Sequence, residues 1–166
     1  LKSIDWLLRE KVHVINLSVA GGDNKVIRLA LKKSQAKGVS MVAAAGNWGK
    51  KGKPAYPAAY GNVLAITALR GNKSVYSHAN QGSYIDFAAP GVKIWTAVPG
   101  GGKYQSGTSF ASPYIAVFAA LLTAGGTAKS TNELRKVLKR KIIDLGNKGK
   151  DSVFGYGFVN LEPKCR

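Results

Sequence analysis

A hydroxyl at the head of an apolar helix is a place for nucleophilic chemistry, and Gly107-Thr108-Ser109-Phe110-Ala111-Ser112-Pro113 puts one there. A glycine turn runs straight into a long apolar stretch, so Ser109 sits at the positive end of the expected helix. Charge developing beside an attacking oxygen is favoured at such a position. A serine there also serves as an ordinary helix N-cap, so this segment alone leaves both roles open. A second segment, Val42-Ala43-Ala44-Ala45-Gly46-Asn47, breaks a strand-like run at Gly-Asn. An asparagine amide just past a strand end can donate a hydrogen bond to an oxyanion. A third, Val14-Ile15-Asn16-Leu17-Ser18-Val19-Ala20-Gly21-Gly22, is another apolar strand that ends in small, open residues.

In this order the three segments resemble the subtilisin-like serine peptidases, the subtilases. Further matches are Tyr56-Pro57-Ala58-Ala59-Tyr60, Asp86-Phe87-Ala88-Ala89-Pro90-Gly91 and Tyr156-Gly157-Phe158-Val159-Asn160, so the resemblance runs from about Val12 to Asn160. It implies that Ser109 is the nucleophile of a serine endopeptidase and Asn47 its oxyanion-hole donor. It also implies that Ser18, Val19 and Ala20 flank an extended polypeptide substrate with Ala44, Ala45 and Gly46, pairing with its main chain. The fold it implies is α/β, three-layered, with a parallel sheet and a buried central helix. Secretion or a periplasmic location follows from the same resemblance, which also admits structural calcium, although no cofactor or metal ligands are identifiable here.

Two departures from the family pattern stand out. Val117 occupies a helix position where glycine is usual, and Ala20 replaces a glycine at the strand end. A larger difference is the lack of a general base. The family orders its triad Asp, His, Ser, but His13 precedes a strand and His78 lies in Tyr76-Ser77-His78-Ala79-Asn80, neither in a His-Gly-Thr context. The aspartates Asp5, Asp23, Asp86, Asp144 and Asp151 lie outside any Asp-Thr-Gly or Asp-Ser-Gly segment. The expectation is a C-terminal half of a catalytic domain, with the N-terminal part missing, the triad Asp and His upstream, and residues 1–166 inactive alone. Its partners would be the polypeptide substrate, that upstream half, and other copies of itself. The alternative is a non-catalytic subtilase-like module that binds through a basic surface.

Composition narrows the classes further. A chain of 166 residues with 45% hydrophobic content is one domain or part of one. The longest apolar run, Ile115 to Ala124, is too short to span a membrane and suits a buried helix. The single cysteine, Cys165, excludes an internal disulfide and reads as a free terminal thiol, with pairing to a segment outside these residues as the alternative. The net charge of +17 gathers at Lys50, Lys51 and Lys53 and again at Arg135, Lys136, Lys139, Arg140 and Lys141, the latter group expected on one helix. Aromatic residues do not alternate with these basic ones as a stacking platform requires, so nucleic acid is disfavoured and a solvated basic surface is expected.

The elements that must position these residues follow from periodicity. Ser3 to Lys11 reads as a short helix and Val12 to Leu17 as a buried strand. Asn24 to Lys37 is amphipathic, with Ile27, Ala30, Leu31 and Ser34 inward and Lys25, Arg28 and Lys32 outward. Strands are expected at Val39–Ala44, Val63–Leu69, Ile85–Ala88 and Ile94–Ala97, with a long Gly-, Pro- and Lys-rich loop between the first two. Gly100-Gly101-Gly102 reads as flexible, and Ser130-Thr131-Asn132-Glu133 as a capping box opening a helix to about Lys139. The helix after Ser109 is apolar on almost every side and is expected to be buried all round.

Overall fold

Alternating strands and helices should build a parallel sheet with helices on both faces, and the computed structural model, which describes residues 1–160, has that arrangement. Cys165 lies outside the described residues. The order is α1 (Lys2–Arg9), β1 (Val14–Leu17), α2 (Lys25–Ala36), β2 (Ser40–Ala44), β3 (Leu64–Leu69), β4 (Phe87–Pro90), β5 (Ile94–Val98), β6 (Gly101–Gln105), α3 (Thr108–Ala124), α4 (Thr131–Leu138), β7 (Ile142–Ile143) and β8 (Phe158–Val159). The main sheet runs β1-β2-β3-β4-β8-β7, parallel except for the β7–β8 pair.

Side-chain alternation along the strands sorts the core into two halves. Met41, Ala43, Val63 and Ala65 face Leu31 of α2 and the apolar side of α1 at Ile4, Leu7 and Leu8. Val42, Leu64, Ile66 and Phe87 face Ala111, Ile115 and Ala119 of α3 together with Leu134 and Leu138 of α4. The result is a three-layer α/β fold, as expected. Local signals hold at the helix ends as well. Asn24 caps α2 by accepting from the Val26 and Ile27 amides at 2.9 and 3.1 Å, and Ser130 caps α4 by accepting from Glu133 N–H at 3.2 Å.

The structure corrects several expectations. The helix α3 is not buried all round: Val117 is 57% and Leu121 55% exposed, and Tyr114 shares their side of the helix. Only the side facing the sheet has a partner among the described residues. Among the described residues Val117 therefore stands largely open. The glycines at 100–102 are not a loose link: Gly100 lies in the turn of the β5–β6 hairpin, and Gly101 and Gly102 open β6, where Gly102 leaves room for the Trp95 ring. Ile27 is exposed, whereas Arg28 lies half-buried over the Tyr60 ring and pairs with Asp23. The helix α4 ends at Leu138, so Arg140 and Lys141 lie beyond it.

Arg135 is not part of a solvated basic face either. Its Nε donates to Asp86 Oδ1 at 3.0 Å and its Nη2 to Asp86 Oδ2 at 3.1 Å. Nη2 also reaches the carbonyls of Gly61 and Val63, at 3.2 and 3.0 Å. Asp86 Oδ2 accepts from Ala65 N–H at 3.1 Å as well, so one carboxylate ties α4 to β3 and to the approach to β4. Removing Arg135 would leave the buried Asp86 carboxylate with the Ala65 N–H and, at 3.7 Å, the Lys150 ammonium. Arg135→Met is expected to destabilise the protein by about 3–5 kcal/mol, read as a fall in the urea midpoint without a change in slope.

Candidate active site

The turn before Ser109 is built to keep one serine off the helix-capping position. Gly107 is the N-cap of α3 and has no side chain to cap with, so Thr108 and Ser109 occupy the first two helical positions. The capping role therefore passes to a residue 61 positions away: Asn47 Oδ1 accepts from Thr108 N–H at 3.0 Å and from Thr108 Oγ1 at 3.1 Å. Thr108 Oγ1 in turn accepts from Gly46 N–H at 3.1 Å. With its oxygen held twice, the Asn47 carboxamide has its orientation set and its NH2 left as the free donor end. A Cβ at residue 107 would lie 3.1 Å from that Nδ2, so glycine keeps the space clear.

Ser109 is half-buried, and its Oγ donates to the Ser18 carbonyl at 3.2 Å. Ser18 returns the contact, donating from Oγ to the Ser109 carbonyl at 2.9 Å, with the Ser112 hydroxyl 3.1 Å away. Asn16 Nδ2 donates to the same Ser18 Oγ at 2.8 Å. The end of β1 is thus laced to the first turn of α3. The Ser109 N–H lies in that first turn, where no intrahelical carbonyl can receive it, and the helix dipole adds positive potential there. Ser109 is the second helical residue, so the N-cap alternative is set aside.

The remaining residues divide. Val19 and Ala20 are exposed on the loop that leaves β1, and that loop is anchored by paired backbone bonds between Gly21 and Tyr56. Ser18 does not present its hydroxyl to open space, being turned into α3. Ala44, Ala45 and Gly46 are buried. Ala45 N–H donates to the Ile66 carbonyl at 2.9 Å and its carbonyl accepts from Tyr84 Oη at 2.7 Å. Gly46 donates to Thr108 and accepts from Asn80 N–H at 3.0 Å. Each main-chain group of Ala45 and Gly46 thus has a partner within the chain, and their carbonyl oxygens each keep a second lone pair. Between Gly21, Gly22, Trp48, Lys53 and Pro54 lies an open recess of ≈ 360 Å³.

Both histidines are exposed; His78 Nδ1 is 3.3 Å from Ser77 Oγ, and the His13 carbonyl accepts from Ser40 N–H. Among the described residues neither hydrogen-bonds to Ser109, and no three His, Cys, Asp or Glu side chains converge on a point. The sequence reading missed Thr108, Tyr84 and Asn80, which hold the site through partners 27 to 62 residues away. Thr108 alone stands beside a glycine, and nothing adjacent to Tyr84 or Asn80 marks them.

The family model described as the subtilase family matches residues 1–157. The chain is 37% identical over 170 residues to the minor extracellular protease Epr of Bacillus subtilis, covering 99% of this chain and 26% of that protein. It is 33% identical over 168 residues to subtilisin DY of Bacillus licheniformis (98% of this chain, 60% of that one). Subtilisin Savinase of Lederbergia lenta is also 33% identical over 168 residues (99% and 61%). Among solved structures, a psychrophilic protease, S41, superposes with a TM-score of 0.83 at 28% identity, over 97% of this chain and 61% of that one. Sphericase gives 0.82 at 26%, with the same coverage. The chain therefore spans about a quarter to three fifths of the relatives it matches.

Tyr84 supplies a pH test of the site's frame. Burial pushes its hydroxyl above the ordinary value of 10.0, with hydrogen bonding from Asn80 and the Ala55 backbone offsetting part of the rise. The unfolded chain therefore releases this proton at a lower pH than the folded one. The stabilisation is complete below pH 10.0 and is lost as pH climbs through the folded value. Tyr84→Phe should cost about 1 kcal/mol at pH 8 through the lost Ala45 bond. Denaturation midpoints measured up the alkaline limb should then show the gap between the two proteins closing.

Proposed function

The chain belongs to the subtilase family, and on that premise we propose that it carries the nucleophile and oxyanion hole of a serine endopeptidase. The observation that carries this reading is the doubly held Asn47 oxygen, which leaves the amide donor free beside the first turn that bears Ser109. In the reaction, Ser109 Oγ attacks the scissile carbonyl and its proton passes to a base. The carbonyl oxygen becomes an oxyanion, held by Asn47 Nδ2 and the Ser109 N–H at the helix's positive end. Collapse expels the amine, which takes the proton from the protonated base, and leaves an ester on Ser109. Water, deprotonated by the same base, attacks that ester and returns the free serine and the carboxylic acid.

The base is the part this chain does not supply. The Ser109 hydroxyl points its proton at the Ser18 carbonyl, which orients the group but is far too weak a base to remove that proton. The histidine and its orienting aspartate come from an upstream segment of the same catalytic domain, and residues 1–166 form the C-terminal part. The substrate is a polypeptide lying along the exposed Val19–Ala20 main chain. Secretion is proposed from the relative described as an extracellular protease.

Two measurements test this. A sulfonyl fluoride should label Ser109 in the full-length protein and leave residues 1–166 unlabelled, and Ser109→Ala should abolish the full-length protein's peptide hydrolysis. Asn47→Ala should lower kcat by about 10²–10³-fold, the loss known for this donor in a subtilisin and carried over from it. A full-length protein that neither labels nor hydrolyses peptides would leave the binding-module reading in place. Separately, the open side of α3 and the free edge of β1 are where the upstream segment packs. Residues 1–166 should self-associate on a sizing column and bind a separately produced upstream segment, and a stable monomer indifferent to that segment would refute the division.

A further inference from the structure

We propose that Asn80 is a positioning residue for the Asn47 amide, closing the loop beyond Asn47 from beneath; this rests on the oxyanion role given to Asn47 above. Asn80 has no solvent exposure. Its Oδ1 accepts from Trp48 N–H at 2.7 Å, the residue after Asn47. Its backbone N–H donates to the Gly46 carbonyl at 3.0 Å, the residue before Asn47. Its Nδ2 donates to the Lys53 carbonyl at 2.9 Å, where the loop returns. Asn47 is thus bracketed on both sides by one buried residue that never reaches the open site.

The contacts require a carboxamide. A planar group with an acceptor at one corner and donors at the other satisfies Trp48 N–H and Lys53 C=O at once, which a hydroxyl of serine's length or a carboxylate does not. The loop is shaped around it: a Cβ at residue 46 would lie 2.8 Å from Asn80 Nδ2, and one at residue 52 would lie 2.6 Å from Asn80 Oδ1. Gly46 also holds a φ of +102°, which side-chain-bearing residues rarely adopt. Thr108 holds the far end of the Asn47 side chain by its oxygen, and Asn80 holds the main chain from which that side chain starts. Both ends must be held for Nδ2 to stay at the oxyanion, because a displacement of about 1 Å in such a group costs about 10²-fold.

The test uses the full-length protein with Asn80→Ala, Asn80→Asp, Asn47→Ala and the Asn47→Ala/Asn80→Ala double variant. Asn80→Ala should lower kcat about 10–100-fold with KM unchanged, while costing no more than about twofold once Asn47 is already alanine. Asn80→Asp keeps the acceptor for Trp48 N–H and should recover part of the lost kcat. Amide hydrogen exchange provides a reading independent of catalysis: in Asn80→Ala the Trp48 amide should exchange at least about tenfold faster, with Ser40–Ala44 of β2 unchanged. Equal kcat losses with and without Asn47, or an unchanged Trp48 amide, would overturn the proposal. Absence of Ser109-dependent hydrolysis in the wild-type protein would sink the peptidase reading instead, and the Trp48 amide alone would then decide whether Asn80 holds the loop.

Discussion

One side-chain oxygen sets the geometry on which the rest of this structure depends. Asn47 Oδ1 receives the first N–H of α3 and the hydroxyl of Thr108, so the end of β2 and the start of α3 are fixed against one another. A helix whose N-cap is glycine has no local acceptor for its first amide. The same bond therefore starts the helix and aims the donor. Glycines follow from this closeness: Gly46 brings its N–H to the Thr108 hydroxyl, and Gly107 leaves the Asn47 amide unobstructed. Local stability and the proposed chemistry share one interaction, which is a physical reason for the apolar strand to end in Gly-Asn.

The second constraint is the helix that this bond begins. Ala111, Ile115 and Ala119 are fully buried against the sheet. Tyr114, Val117 and Leu121 recur at intervals of three and four, one stripe of the same helix, and stand open. A stripe of that composition is costly in water. The sheet has the matching property at β1, whose outer edge has no partner strand among the described residues and leaves main-chain groups open to pairing. Two unsatisfied features of different kinds, an apolar stripe and an open strand edge, lead independently to the same proposal of a further segment of the domain.

Most of the architecture was legible because it is written in short-range periodicity. The amphipathic repeat of α2, the apolar runs of β2 and β3, and the glycine turn into α3 each declare themselves within a dozen residues. The strands β7 and β8 have two residues each, too short for any period, and β6 was hidden by glycines that serve a tight hairpin. Ser109 and Asn47 were visible as chemistry-bearing types at element ends. Thr108, Tyr84 and Asn80 were not, because their work is done on partners distant in sequence. Arg135 misled for the same reason: a basic residue among lysines looks solvated until Asp86, 49 positions away, is found beneath it.

The placement of Ser109 joins these strands of argument. Its hydroxyl is already oriented, its neighbouring N–H is open, and the donor opposite is held from two directions, so on the proposed reading the cost of organising an oxyanion site is met within this chain. What remains is a proton aimed at the Ser18 carbonyl, an acceptor that can hold it in place but cannot take it. On the proposed reading, nucleophile and base are divided between two parts of one domain, and the open stripe of α3 lies on the helix that carries Ser109. Covering that stripe and delivering the base then become one event. Burial of Tyr114, Val117 and Leu121 supplies the driving force for an association whose chemical consequence is felt at the other end of the same helix, where an oriented but inert serine acquires a base.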